Sequence, residues 1–471
     1  MGVENQQGTW IQLRLFEAQE ESVCHGGCGN GGTEPAAREE GQAATASTRK
    51  RALTDDLMER ICERENLNRA YQRVKANKGA PGIDGMTVDE MYDWIQEHKG
   101  KLIQSLLDGR YQPQPVRGVE IPKPSGGTRQ LGIPTVVDRL VQQAFLQVLE
   151  RLLDPTFSES SYGFRRGRNA HQALHRAAEY VAEGREVVVD FDISKFFDRV
   201  NHDILMARLA RHVTDKRVLR IVRRFLEVGI MQDGVSVQRH AGTPQGGPLS
   251  PLLANLLLDD LDKELERRGH RFCRYADDCN IYVRTERAGE RVMASVVRFL
   301  EDRLRLKVNA DKSAVADVEE RQFLGYRLMH DGRLEAAPRS EQRAKQRIRA
   351  ITRRNRGTSL EQIIRDVNGF LTGWVTYFRY ADSEWLLQRL DSWIRRKLRC
   401  VRLKQRKKPQ AVAAFLISLG VPERSARQLA GSGKGWWRKA ATPQSHQAMT
   451  LAWFRSQGLV SLSERYRALQ S

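Results

Sequence analysis

Residues 272–283 read FCRYADDCNIYV, with two adjacent aspartates, Asp277 and Asp278, between runs of strand-forming residues. This pattern predicts a β-hairpin that carries the acidic pair in its middle. Unpaired carboxylates are costly away from water, so two of them in an apolar hairpin need a strongly positive neighbour. A divalent metal ion is the obvious candidate.

A second acidic strand comes earlier in the chain, in REVVVDFDI (185–193). Alternate side chains of a strand share a face, so Asp190 and Asp192 point to the same side. If this strand meets the hairpin, several carboxylates come together, and their mutual repulsion favours a bound cation. Oxygen ligands suit Mg²⁺ or Mn²⁺, and two such ions can clamp the oxygens of a phosphoryl transfer. Periodicity leaves the choice between Asp190 and Asp192 open, and a lone aspartate is more often a strand cap or a salt-bridge partner.

The composition indicates a nucleic-acid partner. The 471-residue chain carries a net charge of +20 and has a pI near 9.9, which favours binding to a polyanion. No apolar run is long enough to span a bilayer, and the start resembles no secretory signal. The six scattered cysteines fit a reducing cytosol. The close pair Cys24 and Cys28 lacks the further ligands that zinc needs, so a flexible tail is the better interpretation.

Several motifs resemble those of one enzyme family. YADD (275–278) resembles the Tyr-x-Asp-Asp box of reverse transcriptases, and DISKFFD (192–198) resembles their first catalytic box. GTPQGGPLSPLLANLLL (242–258) resembles the box that holds the template and the incoming base. Further matches follow in the family's order: NKGAPGIDGMT, IPKPSGGTRQLGIP, SYGFRRGRNAHQAL, LKVNADKS and FLGY. Over roughly 55–471 the chain is similar to the reverse transcriptase–maturases encoded by group II introns, of the bacterial, endonuclease-lacking type found in group IIC introns.

The resemblance implies an α+β fold of the right-hand polymerase type. Fingers and palm with an antiparallel sheet are expected over 53–335, after a disordered extension over 1–52. An all-helical thumb, which is also the maturase domain X, is expected over 336–420. A small DNA-binding region follows over 421–471, and because it holds no cysteine and only His446, no endonuclease is expected.

The resemblance also selects among the candidate site residues. It implies that Asp192, Asp277 and Asp278 bind two Mg²⁺ ions, or Mn²⁺, with the backbone carbonyl of Ile193 as a further ligand. Asp190 is then a supporting group. Phe197 is implied as the ring beneath the sugar that excludes a 2′-hydroxyl, whereas for Phe196 core packing is equally expected. The residues implied in dNTP binding are Lys123, Arg129, Phe197, Gln245, Gly246 and Lys312, the last as a lysine that protonates pyrophosphate.

The chain from 339 onward is strongly basic. Residues 339–356 contain eight Lys or Arg and one acid, and 394–408 form a second basic run. Such residues bind phosphate backbones with steep salt dependence and little sequence preference. The RNA-binding candidates are Arg343, Arg347, Arg353, Arg354, Arg395, Arg396 and Lys397. Between the runs, Phe370, Trp374, Tyr377 and Phe378 share one helical face, which predicts thumb core rather than base stacking.

The sequence thus predicts an RNA-directed DNA polymerase that copies its intron into DNA by retrohoming and assists intron splicing. The expected partners are group II intron RNA, an RNA template with a DNA primer, target DNA and dNTPs. The expected location is the bacterial cytoplasm, at the nucleoid when the protein acts on DNA. Two alternatives remain: a splicing-only maturase, which the intact aspartates disfavour, and a domesticated reverse transcriptase in repair or phage defence.

Overall fold

The computed structural model describes residues 56–122, 128–232, 235–237, 242 and 246–470. The tail over 1–52, Lys123 and Gln245 therefore lie outside the described residues, and so does the side chain of Arg129. None of the described helices is both long and apolar enough to cross a membrane.

Contacts divide the described chain into two compact units. The first comprises the chain up to Ala173, Val189–Ile281 and Arg287–Val315, and the second comprises Leu174–Val188, Tyr282–Glu286 and everything from Ala316. The domain borders predicted at 335 and 420 differ from the borders of these units and stay predictions.

The first unit begins with helices that pack through apolar stripes. Leu67 and Val74 recur at helical spacing and are buried, as the sequence predicts. Thr135 caps the last helix of this group, because its hydroxyl accepts a hydrogen bond from the backbone N–H of Asp138. These helices are α1 (Leu57–Cys62), α2 (Arg64–Ala76), α3 (Met91–Leu107) and α4 (Val136–Leu153).

An antiparallel pair of strands, in which Val119 faces Leu131, forms a hairpin that contains part of IPKPSGGTRQLGIP. The first of these strands also pairs in parallel with a later strand, so the hairpin forms one edge of a sheet. The strands are β1 (Val116–Pro122), β2 (Thr128–Ile133), β4 (Ile230–Gln232) and β5 (Val235–Val237), in the order β2–β1–β4–β5.

A second sheet brings the two acidic segments together. Its strands are β3 (Val187–Asp192), β6 (Arg271–Tyr275), β7 (Asp278–Val283) and β8 (Ala314–Asp317), in the order β6–β7–β3–β8. The acidic hairpin is therefore the β6–β7 pair, and β7 is hydrogen-bonded to β3. In β3, Val189 and Phe191 are buried whereas Asp190 and Asp192 are half-buried, which confirms the predicted alternation.

The helices of this part of the chain are α5 (Ala170–Ala182), α6 (Phe196–Arg199), α7 (His202–Leu209), α8 (Lys216–Glu227), α9 (Ser250–Arg267) and α10 (Glu286–Arg303). The mixture of helices and sheets confirms the predicted α+β polymerase fold. Ser250 is the first residue of α9 and is followed by Pro251 in the first turn. Leu249 takes the cap position with a φ of −79° and a ψ of −26°, so it already has helical geometry.

The second unit contains a short hairpin, β9 (Tyr326–Leu328) and β10 (Leu334–Ala336), and is otherwise mainly helical. Its helices are α11 (Pro338–Ile351), α12 (Leu360–Tyr377), α13 (Glu384–Gln405), α14 (Pro409–Ser418), α15 (Glu423–Gly431), α16 (Trp436–Lys439), α17 (Pro443–Ala448), α18 (Leu451–Ser456) and α19 (Leu462–Gln470). One hydrophobic cluster runs from Ile348 to Leu462, so the segment predicted as a small C-terminal region shares its core with the helices before it.

The aromatic face predicted for α12 is only partly core. The fully buried stripe of this helix is aliphatic, with Ile364, Val367 and Leu371 at helical spacing. Phe370 and Trp374 pack against that cluster while staying partly exposed. Phe378 is buried, and Tyr377 is half-buried and donates a hydrogen bond through its hydroxyl to the carbonyl of Leu324. The aromatic residues therefore flank the core because the aliphatic stripe fills its centre.

Candidate active site

The acidic pair lies at the tight turn between β6 and β7. Tyr275 ends the first strand, Asp278 begins the second, and Ala276 adopts a left-handed backbone with a φ of +62°. That conformation costs an alanine roughly 1–2 kcal/mol, so the surrounding structure must hold it. Asp277 is half-buried and Asp278 is exposed, which leaves both carboxylates accessible.

A fully buried ion pair holds the turn from behind. The guanidinium of Arg274 donates from Nε to Oδ1 of Asp262 at 2.7 Å and from Nη2 to Oδ2 at 2.5 Å. Its Nη1 donates to the carbonyl of Ala276 and to Oδ1 of Asn255, both at 2.9 Å. Burial works against the charged guanidinium, but the Asp262 carboxylate outweighs it and raises the pKa of Arg274. The left-handed residue of the turn is thus fixed by a charged, two-pronged donor.

Asp192 lies at the end of β3 and is tied to the segment that contains LKVNADKS. Its backbone N–H donates to Oγ of Ser313 at 3.0 Å, and its carbonyl accepts from the backbone N–H of Asn309 at 2.8 Å. Its carboxylate Oδ2 accepts from Nδ2 of Asn309 at 3.2 Å and lies 3.7 Å from Nζ of Lys312. The structure therefore places Lys312 next to a predicted ligand, as the sequence implied.

The three predicted ligands lie at the ends of neighbouring strands but are not arranged as a metal-binding site. Asp192 ends β3 and Asp278 begins β7, and these strands are neighbours. Among the described residues, no group of three or more His, Cys, Asp or Glu side chains is placed to hold a metal ion. The donor set itself, exposed or half-exposed carboxylates beside a backbone carbonyl at Ile193, fits the oxygen ligands that Mg²⁺ and Mn²⁺ prefer. The metal site stays a prediction.

The glycine loop before α9 approaches both the hairpin and the first acidic box. Gly246 has a φ of +130°, and a Cβ built on it would come within 2.5 Å of the carbonyl oxygen of Gly132 in β2. Gly242 has a φ of +94° and lies against the backbone of Phe197. Only glycine fits such close approaches with this backbone. Gly242 and Gly246 therefore lie against the two regions predicted to hold the nucleotide.

The two phenylalanines after Asp192 have different environments. Phe196 is 2% exposed and is a core residue. Phe197 is half-buried, and its ring meets that of Phe196 edge to face at 5.1 Å. Because Phe197 is half-buried, its ring is available to contact a nucleotide. Phe196, by contrast, is packed in the core, which was the alternative left open for it.

Five of the seven basic residues predicted to bind RNA fall into two groups. Arg343, Arg347 and Arg353 are exposed and make no side-chain hydrogen bond or ion pair within the described part of the chain. By contrast, the guanidinium of Arg396 lies 4.0 Å from the centre of the Trp437 ring, and Lys397 lies between Trp393 and Trp437. Burial lowers the pKa of Lys397. The first group is free to bind phosphate, and the second packs within the unit.

The difference between the groups gives a prediction. Changing Arg343, Arg347 and Arg353 together to Gln is expected to reduce the slope of log affinity against log salt by about two, since each lost phosphate contact removes roughly 0.7. The measurement is RNA binding by fluorescence anisotropy over a salt series. The control, Arg396→Gln, is expected to leave the slope unchanged and lower the melting temperature. An unchanged slope in the triple variant would show that this face does not bind phosphate.

The sequence reasoning did not find the pair formed by Arg274 and Asp262. A signal was present: Arg274 follows the apolar residues Phe272 and Cys273 directly before the acidic turn, and a buried arginine needs an acidic partner. Asp262 lies in α9, a helix whose inward face also carries Asn255.

Comparison with known proteins identifies the family. Residues 121–328 match the family described as "Reverse transcriptase (RNA-dependent DNA polymerase)", and residues 341–415 match "Group II intron, maturase-specific domain". The chain belongs to the group II intron-encoded reverse transcriptases. Its sequence is 31% identical to Protein YkfC of Escherichia coli over 61% of this chain and 86% of that protein.

Other relatives of this reverse transcriptase match it over a smaller share of their own length. Identity to the group II intron-encoded protein LtrA of Lactococcus lactis is 40%, over 41% of this chain and 32% of LtrA. Among solved structures, a chain of a "Partial Cas6-RT-Cas1--Cas2 complex" is 26% identical over 52% of this chain and 42% of that chain, with a TM-score of 0.35. The two matched domains make the chain an RNA-directed DNA polymerase joined to a splicing maturase domain.

Proposed function

We propose that this reverse transcriptase adds dNTPs to a DNA primer on an RNA template, with Asp192, Asp277 and Asp278 holding two Mg²⁺ ions. The observation that carries the proposal is the pairing of β7 with β3, which makes the two acidic segments neighbours in one sheet. When bound, the ions supply positive charge that stabilises the phosphates undergoing transfer.

The chain's own residues bind and orient the nucleotide. Lys123 and Arg129 bind the triphosphate, because ammonium and guanidinium groups pair with phosphate. Lys123 precedes the hairpin turn in the chain, and Arg129 lies on the strand after it. Phe197 lies beneath the sugar and excludes a 2′-hydroxyl. Gln245 and Gly246 let the backbone approach the nascent base pair.

The leaving group needs a proton source. The primer 3′-hydroxyl attacks the α-phosphate, the bond to the bridging oxygen breaks, and pyrophosphate leaves. Lys312 donates a proton to that pyrophosphate. This role is supported by the position of Lys312, whose Nζ lies 3.7 Å from Oδ2 of the proposed ligand Asp192. Lys312 also keeps positive charge beside the carboxylate.

The maturase half binds the intron RNA, and retrohoming into target DNA follows when the spliced intron is copied. The exposed arginines Arg343, Arg347 and Arg353 support this role, because phosphate contacts supply affinity without sequence information. The chain acts at the nucleoid of the bacterial cytoplasm when it primes on DNA.

The test is primer extension on poly(rA)/oligo(dT) with dTTP and Mg²⁺. Robust extension by the wild type is expected. A folded wild type that binds RNA but never extends the primer would overturn the proposal in favour of a splicing-only maturase. Splicing of a group II intron RNA in the same preparation separates an intron-associated protein from a domesticated polymerase, which would extend primers without promoting splicing.

A further inference from the structure

A basic cavity of about 720 Å³ lies beside the helices of the first unit. Its walls come from α2, α4 and the loop that contains SYGFRRGR. Five of the described residues that line it are arginines, and glutamines supply further donors. Its size lies in the range of cavities that bind small organic groups.

Three of these arginines interact with Glu150 through charge but without a direct contact. Arg73, Arg151 and Arg166 are exposed and make no ion pair or side-chain hydrogen bond within the described residues. A fourth, Arg165, is buried and donates from Nε to Asp154 at 2.7 Å, so it shapes the loop. The lone acid of the lining is Glu150, and burial raises its pKa. With five arginines and one glutamate in its lining, the cavity therefore presents a net positive charge.

An aromatic ring stands in the same lining. Phe164 is 55% exposed and has a φ of +57°. A large apolar side chain gains nothing from exposure, and a left-handed backbone costs a phenylalanine about 1–2 kcal/mol. Strain of this kind persists where the surrounding structure imposes it, commonly at ligand sites.

The loop that carries Phe164 is fixed to the catalytic turn. The backbone N–H of Tyr162 donates to the carbonyl of Arg274 at 2.8 Å. A Cβ built on Gly163 would come within 2.3 Å of the backbone nitrogen of Ala276. Asn255, which also binds Arg274, donates to the carbonyl of Gly163 at 2.8 Å. The Phe164 ring therefore belongs to the residue directly after Gly163, whose backbone touches the catalytic turn at Ala276.

We infer that Phe164 stacks on an unpaired base of the RNA template while Arg73, Arg151 and Arg166 bind its phosphates. Exposed rings with neighbouring cations are how proteins hold single strands without reading sequence. Of the strands at a polymerase site, the primer is paired up to its end, whereas the template continues unpaired ahead of it. The inference rests on the proposed function, because it assigns the strand to the template.

The test compares two RNA–DNA duplexes at one salt concentration, one blunt and one with a six-nucleotide 5′ RNA overhang. Binding is measured by fluorescence anisotropy with the full chain. The wild type is expected to bind the overhang duplex more tightly. Phe164→Gly is expected to lose about 5- to 100-fold in affinity for the overhang duplex and little for the blunt one. Phe164→Tyr, which retains a ring, is expected to retain the overhang affinity.

Glycine is the informative change because it relaxes the left-handed backbone, so stability should hold or rise as binding falls. Changing Arg73, Arg151 and Arg166 together to Gln is expected to cause the same loss of overhang affinity. Changing the exposed Arg287, Arg298 and Arg303 together to Gln is the charge-matched control. The inference would be overturned if Phe164→Gly bound the overhang duplex as tightly as the wild type does. It would also be overturned if this variant lost as much affinity for the blunt duplex as for the overhang duplex. Binding needs no catalysis, so failed extension with intact overhang binding would instead count against the proposed function.

Discussion

Asp278→Asn is expected to reduce the rate of nucleotide addition by about a thousandfold, with RNA binding and folding unchanged. Metal ligands at a phosphoryl-transfer site account for several kcal/mol of transition-state stabilisation, and each 1.36 kcal/mol is tenfold in rate. Asp277→Asn and Asp192→Asn are expected to do the same. The measurement is single-nucleotide incorporation on an RNA template with a DNA primer.

Asp190→Asn is the matched control, because Asp190 lies on the same strand and face as Asp192 but is not a predicted ligand. Its rate is expected to stay within tenfold of the wild type. If Asp190→Asn were as inactive as Asp192→Asn, the choice of Asp192 would be wrong. If Asp278→Asn kept its activity, the acidic turn would have no part in catalysis.

Arg274→Leu is expected to destabilise the first unit by about 3–5 kcal/mol. The change leaves the Asp262 carboxylate, which is fully buried, without its charged partner. It also removes the donor to the Ala276 carbonyl, so the turn loses its fixed backbone. The measurement is the urea concentration at the unfolding midpoint.

A gentler change separates stability from catalysis. Arg274→Lys keeps the charge but cannot bind both carboxylate oxygens, Asn255 and Ala276 at once. Under conditions where this variant is folded, the maximal rate of addition is expected to fall while the KM for dNTP is maintained. Arg271→Lys, an exposed position on the same strand, is the control. If Arg274→Lys added nucleotides at the wild-type rate, Arg274 would serve folding alone and not the position of the turn.

The sequence was sufficient for the hairpin and for the face of β3, because both depend on local patterns. Alternation between apolar and acidic residues decides which side of a strand Asp192 occupies, and this follows from a period of two. The order of motifs along the chain predicted the family, which the two matched domains confirm.

The rest depends on contacts between distant segments. The approach of Gly163 to Ala276 joins residues far apart in the chain. The pairing of Arg274 with Asp262 joins a strand to the helix before it, and periodicity reveals neither contact. The contact between Arg396 and Trp437 is hidden from the sequence for the same reason. The run of basic neighbours around Arg396 indicates a solvated face, but Trp437 arrives from another helix and packs beneath the guanidinium. Likewise, the aliphatic residues of α12 fill the centre of the core, and its aromatic residues lie at the edge of the core.

The most direct test of the central claim, that Asp192 and the acidic turn form one metal-dependent centre, is the Mg²⁺ dependence of single-nucleotide incorporation. Rapid-quench rates would be compared for the wild type and the Asp277→Asn, Asp278→Asn double variant. A rate that rises and saturates with Mg²⁺ in the wild type, and stays at background in the variant at every Mg²⁺ concentration, is the predicted result. Incorporation by the variant with the wild-type Mg²⁺ dependence would contradict the account.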